Sequence, residues 1–236
     1  MKSSEALLLR KRPYGDADYV ITLFTKEFGK ISAFAKNAKS SRKRFGGRLE
    51  PFVHFRARFR ERPGGDMKFL EDLETIEVFR HLMEDLELFM WGSFMTESAE
   101  ILLPKESPNE DMFNLFVDSL RELNSGKSAM PLVLAFQLGT LSLSGYGPSL
   151  DACAECGKEA GTGARFSIKK GGALCAECAA GAENGIAFSG DFLRDKELME
   201  IHLGKVLKYI KLFSRFTEYH TEKKLNSSKF IEELKI

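Results

Sequence analysis

The sequence predicts an α+β chain of more than one domain: an N-terminal five-stranded β-barrel, then an all-helical region carrying an inserted four-cysteine module. Three observations carry this prediction. The first 80 residues read as strands, with period-two alternation clearest in 52–62, and the apolar spacing turns helical from His81. A run of cations interrupted by glycine and serine separates the third predicted strand from the fourth. The four cysteines stand as two C-x2-C pairs. At 236 residues the chain is long enough to bury more than one core.

The strands follow in order. Residues 5–12 (EALLLRKR) join a short apolar run to cations, and 19–25 (YVITLFT) are β-branched and aromatic, which suits a pleated surface. Phe28-Gly29 makes a turn-like break before 30–36 (KISAFAK), so these two runs form a hairpin. In 52–62 (FVHFRARFRER), Val53, Phe55, Ala57 and Phe59 alternate with His54, Arg56, Arg58 and Arg60, predicting one buried and one cationic face. Residues 62–66 (RPGGD) read as a turn. The pattern of 67–79 (MKFLEDLETIEVF) admits helix or strand, and a strand returning along 52–62 is preferred. Five short strands with a basic loop between the third and fourth fit an OB-type barrel over residues 1–80.

The helical domain is assigned to 81–236. Leu82, Leu86, Phe89, Met90, Phe94 and Ile101 recur at helical spacing. Ser107-Pro108-Asn109-Glu110 reads as a capping box with Ser107 as N-cap. The helix over 109–124 would then turn Met112, Leu115, Phe116, Leu120 and Leu123 inward. Another helix over 131–144 stops at Gly145, Gly147 and Pro148. The pattern resumes at Ser189-Gly190-Asp191, breaks near Gly204 and runs to about Leu225, and a short helix over 227–235 closes the chain.

The cysteine module is placed at 150–185. Cys153-Ala-Glu-Cys156 and Cys175-Ala-Glu-Cys178 are separated by 18 residues, the spacing of a zinc ribbon. Two thiolates three residues apart in a tight knuckle reach one tetrahedral ion, and a hairpin over 165–174 (RFSIKKGGAL) brings the second knuckle to the first. Gly157 allows the backbone to bend after the first pair. The expectation is one structural Zn2+ per chain, held by Cys153, Cys156, Cys175 and Cys178. Redox or free thiols and disulfides are the alternatives, the last disfavoured in a cytoplasmic chain. Four thiolate ligands leave no open position for a catalytic water.

The formal net charge of +1 hides an uneven distribution. Residues 1–80 hold 18 Lys/Arg against 11 Asp/Glu, residues 81–149 hold 3 against 10, and residues 150–236 hold 14 against 13. From Lys30 to Arg62 there are 11 cations and two acids, Glu50 and Glu61. Such a concentration implies a polyanion partner. The candidate nucleic-acid contacts are Lys36, Lys39, Arg42, Lys43, Arg44 and Arg48 in the loop, Arg56, Arg58 and Arg60 on the strand, and Phe45 as a stacking platform among the cations. The structural alternative is a solvated strand face and a soluble loop.

Other classes are not signalled. No apolar run reaches about 18 residues, so no membrane span is expected. The run Ala6–Leu9 is too short for a signal-peptide core, so a cytoplasmic chain is expected. There is no phosphate-binding G-x-x-x-x-G-K-[ST] and no H-E-x-x-H, and His54, His81, His202 and His220 are scattered. Neither enzymatic activity nor a small-molecule substrate is expected.

Three blocks resemble the RecO family of bacterial DNA repair proteins: VITLFTKEFGKISAFAKNAKSSRKRFGGRLEPF (20–52), LSGYGPSLDACAECG (143–157) and FTEYHTEKKLNSSKFIEEL (216–234). The resemblance runs end to end and in order. Where the family often has glycine this chain has Asn37, which tolerates the left-handed conformation better than most residues. The resemblance implies an OB domain, a helical domain with a zinc module lodged in it, and a recombination mediator with no nucleotide cofactor. It implies binding to single- and double-stranded DNA, annealing of complementary strands, and, with RecR, help in loading RecA onto strands covered by single-strand-binding protein. It further implies that the helical domain takes the acidic, aromatic-ended tail of single-strand-binding protein. Arg121, Lys208, Lys211 and Arg215 are the candidate cations for that tail, beside a groove formed or floored by Tyr209, Phe213 and Phe216. The alternatives from the residues are a zinc-ribbon OB adaptor binding RNA in transcription or translation, and a nucleic-acid-modifying enzyme.

Overall fold

The computed structural model describes residues 1–61, 67–180, 185–190, 193, 195, 200 and 202–234, without the side chains of Arg42 and Lys43. The expected turn at 62–66 and most of the segment 191–201 lie outside the described residues. The chain divides into two compact units, Met1–Lys127 and Ser128–Ile236.

The first unit is built on a closed barrel. Its strands are β1 (Lys2–Tyr14), β2 (Asp18–Thr25), β3 (Gly29–Ala35), β4 (Val53–Arg60) and β5 (Lys68–Val78), in the order β1-β2-β3-β5-β4. Neighbours are antiparallel except β3 and β5, whose parallel pairing leaves no open edge. Ala6, Leu8, Ile21, Leu23, Ile31, Ala33, Val53, Phe55, Ala57 and Phe59 point into one core by period-two alternation, and Leu70 and Leu73 join it across a register shift in the β4–β5 pairing. Phe55 and Phe59 are fully buried there. Truncating either to Ala would cost about 3–5 kcal/mol.

Two turn residues fit this frame. Gly29 has φ +65, and a Cβ there would stand 2.2 Å from the Ser107 carbonyl oxygen, so no side chain fits. Asn37, which opens the basic loop, has φ 57, in the left-handed region anticipated for it. Its amide donates to Asp18 Oδ1 at 2.7 Å, tying the loop's start to β2.

Three helices complete this unit: α2 (His81–Glu84), α3 (Leu86–Leu102) and α4 (Glu110–Asn124), with α1 (Arg42–Phe45) in the basic loop. The cap of α4 is Asn109, whose Oδ1 accepts from the Met112 amide at 2.9 Å, two residues beyond the Ser107 N-cap expected from sequence. Met112, Phe116, Leu120 and Leu123 point inward as expected, and Leu115 is half-buried. The stripe expected on 81–101 is shifted. Leu82 and Phe94 are buried, but Leu86 and Phe89 are exposed, and Trp91, Met95, Ala99 and Leu102 take the inner positions. The chain restarts at Leu86 after the extended residue Asp85, so the periodicity of α2 does not carry into α3.

The second unit holds α5 (Ala129–Leu143), the strands β6 (Arg165–Ser167) and β7 (Gly172–Leu174), then α6 (Ala176–Ala179), β8 (Ile186–Ala187), α7 (Leu203–Thr221) and α8 (Ser228–Glu233). Gly145, at φ +81, follows α5 where a stop was expected. Helices α5 and α7 pack together, and Gln137 Nε2 donates to Ser214 Oγ at 3.2 Å within their buried interface. Phe166 of β6 packs on Phe213 and Phe216 of α7 with ring centroids 5.4 and 5.8 Å apart. Among the described residues no helix is long and apolar enough to cross a membrane.

Candidate nucleic-acid interface and metal centre

The basic loop runs from the end of β3 to the start of β4 and packs Phe45 and Leu49 against the barrel core. Its cations do different things. Lys36 and Lys39 are exposed, and Lys39 Nζ donates to the Gly15 carbonyl at 2.7 Å, 5.7 Å from the centre of the Tyr19 ring. Arg44 donates to the Lys36 carbonyl at 2.8 Å and lays its guanidinium 4.9 Å over the Phe45 ring. Arg48 donates to the Leu73 carbonyl of β5 at 3.0 Å. The side chains of Arg42 and Lys43 lie outside the described residues.

Phe45 is not the stacking platform expected from sequence. It is 2% exposed and sits in the barrel core beside Leu49. One ring face is covered by Arg44 and the rest by core side chains, so no face is open to a base. The ring anchors the loop. A four-residue helix has no periodicity from which its inward side could be read, and the charge around Phe45 masked its burial.

On β4, Phe55, Ala57 and Phe59 point inward and Arg56, Arg58 and Arg60 outward, as the alternation predicts. Each arginine meets a carboxylate. Arg56 is 3.5 Å from Glu5, Arg58 Nε is 2.7 Å from Asp72, and Arg60 Nε is 2.5 Å from Glu71. The Asp72 carboxyl is held below its ordinary range, first by the Arg58 hydrogen bonds and further by the charges of Arg58, Arg48 and Arg44.

His54 breaks the alternation. It is 4% exposed, faces Phe113 of α4 at 5.8 Å between centroids, and has Nε2 3.2 Å from Glu5 Oε2. Burial lowers its pKa below the usual value, against the opposing pull of Glu5 and Glu77.

In the second unit the two cysteine pairs converge. The four sulfur atoms lie within 4.8 Å of one another, and Cys156 and Cys175 Sγ are 3.8 Å apart. The edge of a tetrahedron with metal–sulfur bonds of about 2.3 Å is about 3.8 Å, so the set fits a four-thiolate ion. A disulfide would need about 2.05 Å. The expected hairpin is present as β6 and β7. The Gly157 amide closes the first knuckle on the Cys153 carbonyl at 2.9 Å, with Gly157 at φ +73. Backbone amides of Cys156 and Cys175 donate to Cys153 and hold its thiol down to about 6. Cys178, hydrogen-bonded to Cys175 and Cys156, is pushed up to about 12. A bound cation would favour the thiolate form of all four cysteines. The module's own core is small, with Leu174 and Ala179 beside Cys153 and Cys175.

The second unit also carries a cleft of about 730 Å3, lined by Ile186, Leu207, Leu212, Lys208, Lys211 and Arg215 among others. The three cations thus share one side of α7, as their spacing predicts. Arg215 is 3.1 Å from Glu232, and Lys211 donates to the Glu232 carbonyl at 3.3 Å. The aromatic groove expected beside them is corrected. Tyr209, Phe213 and Phe216 are buried in the core, and Leu207 and Leu212 supply the apolar lining. Arg121 belongs to the first unit and is held by Glu77 at 2.8 Å and Asp118 at 2.5 Å.

Comparison with known proteins places this architecture. The family described as Recombination protein O N terminal matches residues 1–79, and the one described as Recombination protein O C terminal matches residues 83–229. The chain is 35% identical to the DNA repair protein RecO of Anaeromyxobacter sp. (strain K), over 97% of this chain and 94% of that protein. It is 33% identical to the RecO of Pelotomaculum thermopropionicum, over 97% and 93%. It is 32% identical to that of Nocardioides sp., over 97% and 98%. With both halves matched in order and the relatives covered almost from end to end, the chain belongs to the RecO family of DNA repair and recombination proteins.

Proposed function

We propose that this chain is a non-enzymatic recombination mediator that grips the phosphates of single- and double-stranded DNA through the loop at 36–48. The observation that carries this reading is the run of loop cations pinned over a closed barrel in a chain of this family. Lys36, Lys39, Arg42, Lys43, Arg44 and Arg48 supply the charge, and the β4 arginines contribute a weaker, carboxylate-bound share. The family match favours DNA over the RNA adaptor reading. The mediator anneals complementary strands and, with RecR, helps load RecA onto strands covered by single-strand-binding protein. A tail peptide from single-strand-binding protein docks in the α7 cleft, its carboxylates against Lys208, Lys211 and Arg215 and its aromatic end against Leu207 and Leu212. Arg121, engaged by two carboxylates, is not needed for that contact.

The ion in the cysteine centre is zinc, one per chain, with a structural role. It neutralises the thiolates and cross-links two knuckles that share too small a core to hold themselves. Metal analysis of freshly purified, reduced protein gives one zinc per chain, and Cys175→Ser lowers it. Zinc-free protein with an intact module would end this assignment.

The test of function has two readouts. Labelled single-stranded DNA, duplex DNA and RNA are titrated against the protein, and annealing of two complementary labelled strands is followed by energy transfer. DNA binding that falls steeply with salt, together with faster annealing, supports the mediator. RNA bound in clear preference to DNA, with no annealing, would favour the adaptor instead.

A further inference from the structure

The outer surface of the barrel carries a row that crosses every strand. Arg12 of β1 pairs with Val20 of β2, Val20 with Phe34 of β3, Phe34 with Phe69 of β5, and Phe69 with Arg60 of β4. Residues one step along, Ala33, Ala35 and Leu70, point into the core, so alternation fixes this row on the outside. Phe34 and Phe69 are half-buried, and Tyr14, two residues beyond Arg12, is 60% exposed.

The three rings form a ladder. Tyr14 meets Phe34 edge-on at 5.4 Å, and Phe34 meets Phe69 edge-on at 5.9 Å. Arg60 closes one end, its guanidinium 5.2 Å over the Phe69 ring, while Glu71 on the same face is neutralised by Arg60. Arg12 stands exposed at the other end, and Lys36, two residues past Phe34, is exposed where the basic loop begins.

An outward aromatic row is costly in water and asks for a cover. The cover must bring apolar faces to the rings and negative charge to Arg12 and Lys36. Unpaired bases on a phosphate backbone carry both features. A duplex keeps its base faces stacked inside and offers these rings nothing.

We propose that Tyr14, Phe34 and Phe69 form a stacking platform for the unpaired bases of single-stranded DNA, with Arg12 and Lys36 holding the flanking phosphates. The platform rests on the DNA-binding reading above and adds to it a preference for single strands that the loop cations alone cannot give. The loop grips any phosphate chain; the platform engages only a chain whose bases are free.

The test is fluorescence anisotropy with a labelled oligothymidylate and a duplex of the same length. It compares the parent protein with Phe34→Leu/Phe69→Leu, which keeps the face apolar, and with Tyr14→Ser at an exposed position. Circular dichroism melting checks the fold. The leucine pair is expected to weaken single-strand binding about tenfold or more, with the salt slope unchanged and duplex affinity within about twofold. Phe34→Trp is expected to restore a stacking surface and keep the affinity. Oligonucleotides carrying 5-iodouracil are expected to photocrosslink to Tyr14, Phe34 or Phe69. Equal weakening for single strand and duplex, or none for either, would overturn the platform and leave the loop reading intact. Retained single-strand binding with loss of a protein partner would make the face a protein-docking surface and overturn the platform as well. A parent protein that binds neither DNA would remove the loop reading and the platform together.

Discussion

The first unit carries two basic surfaces, and they differ in what the fold does with their charge. On β4, every arginine of the outward face has a carboxylate from a neighbouring strand: Arg56 has Glu5, Arg58 has Asp72 and Arg60 has Glu71. In the loop, Lys39, Arg44 and Arg48 each donate to a carbonyl oxygen. A carbonyl fixes a cation's position without cancelling its charge. A carboxylate does both. The loop is therefore a source of positive potential, and the strand face is closer to neutral although its sequence is equally basic.

The largest effect expected from this contrast comes from removing the loop charge. Arg42→Ala/Lys43→Ala/Arg44→Ala should lower the salt slope of log K by about 2–3, each lost phosphate contact removing about 0.7–0.9. At 0.1 M salt that weakens DNA binding on the order of a hundredfold, for all sequences alike. Arg56→Ala/Arg58→Ala should change the slope by less than about one. Equal slopes for the two variants would erase the distinction between the surfaces.

Phe45 separates anchoring from stacking. Phe45→Ala opens a cavity beneath the loop and should cost about 3–5 kcal/mol of stability, read from urea denaturation. Phe45→Leu keeps most of the volume and should cost under about 1.5 kcal/mol while leaving DNA affinity within about twofold. A tenfold loss in the leucine variant, with the fold intact, would return Phe45 to the role of platform.

The sequence made much of this legible. Period-two alternation located β4, while β-branched and aromatic runs and turn signals located the other strands within a few residues, and 67–79 reads as a strand only by its place across the turn from β4. The two C-x2-C pairs announced their convergence, because few other arrangements bring four thiols together at that spacing. What stayed hidden depends on register. Arg56 meets Glu5 through the long-range pairing of β4 with β1, and the partners of Arg58 and Arg60 follow from the pairing of β4 with β5, which shifts between His54 and Phe55 and between Arg58 and Phe59. No local pattern encodes such shifts. The Phe34–Phe69 contact needs the long-range parallel pairing of β3 with β5, which leaves no mark on either strand alone. His54 looked like one more residue of the polar face, yet α4 covers that end of the strand with Phe113.

A smaller effect is expected from freeing a strand arginine. Asp72 is held in its charged form by Arg58 and also feels Arg48 and Arg44, so it stands where the two basic surfaces meet. Asp72→Asn keeps the shape and releases Arg58. DNA affinity at low salt should rise a few-fold and the slope should steepen by up to about one. Weaker binding in this variant would mean that Asp72 positions Arg58 for contact instead of silencing it.

The smallest effect concerns the one residue of β4's polar register that the fold has buried. Glu5 is shared: one carboxylate oxygen faces His54 Nε2 at 3.2 Å and the other faces Arg56 at 3.5 Å. Around His54 stand Glu5 of β1, Glu77 of β5 and Arg121 of α4, with Phe113 over the ring. Burial is the largest influence and lowers the His54 pKa below the ordinary 6.5, the carboxylates opposing it only in part. The unfolded chain therefore binds a proton at a higher pH than the folded one. Stability stays at its neutral-pH level above about 6.5 and falls as the pH drops through that value towards the folded pKa. His54→Gln removes this dependence while keeping a polar side chain near Glu5. Urea midpoints at pH 7.5 and 5.5 should diverge more for the parent than for the variant. If the variant shows the same divergence, other groups set the acid sensitivity, and the burial of His54 does not disturb its titration.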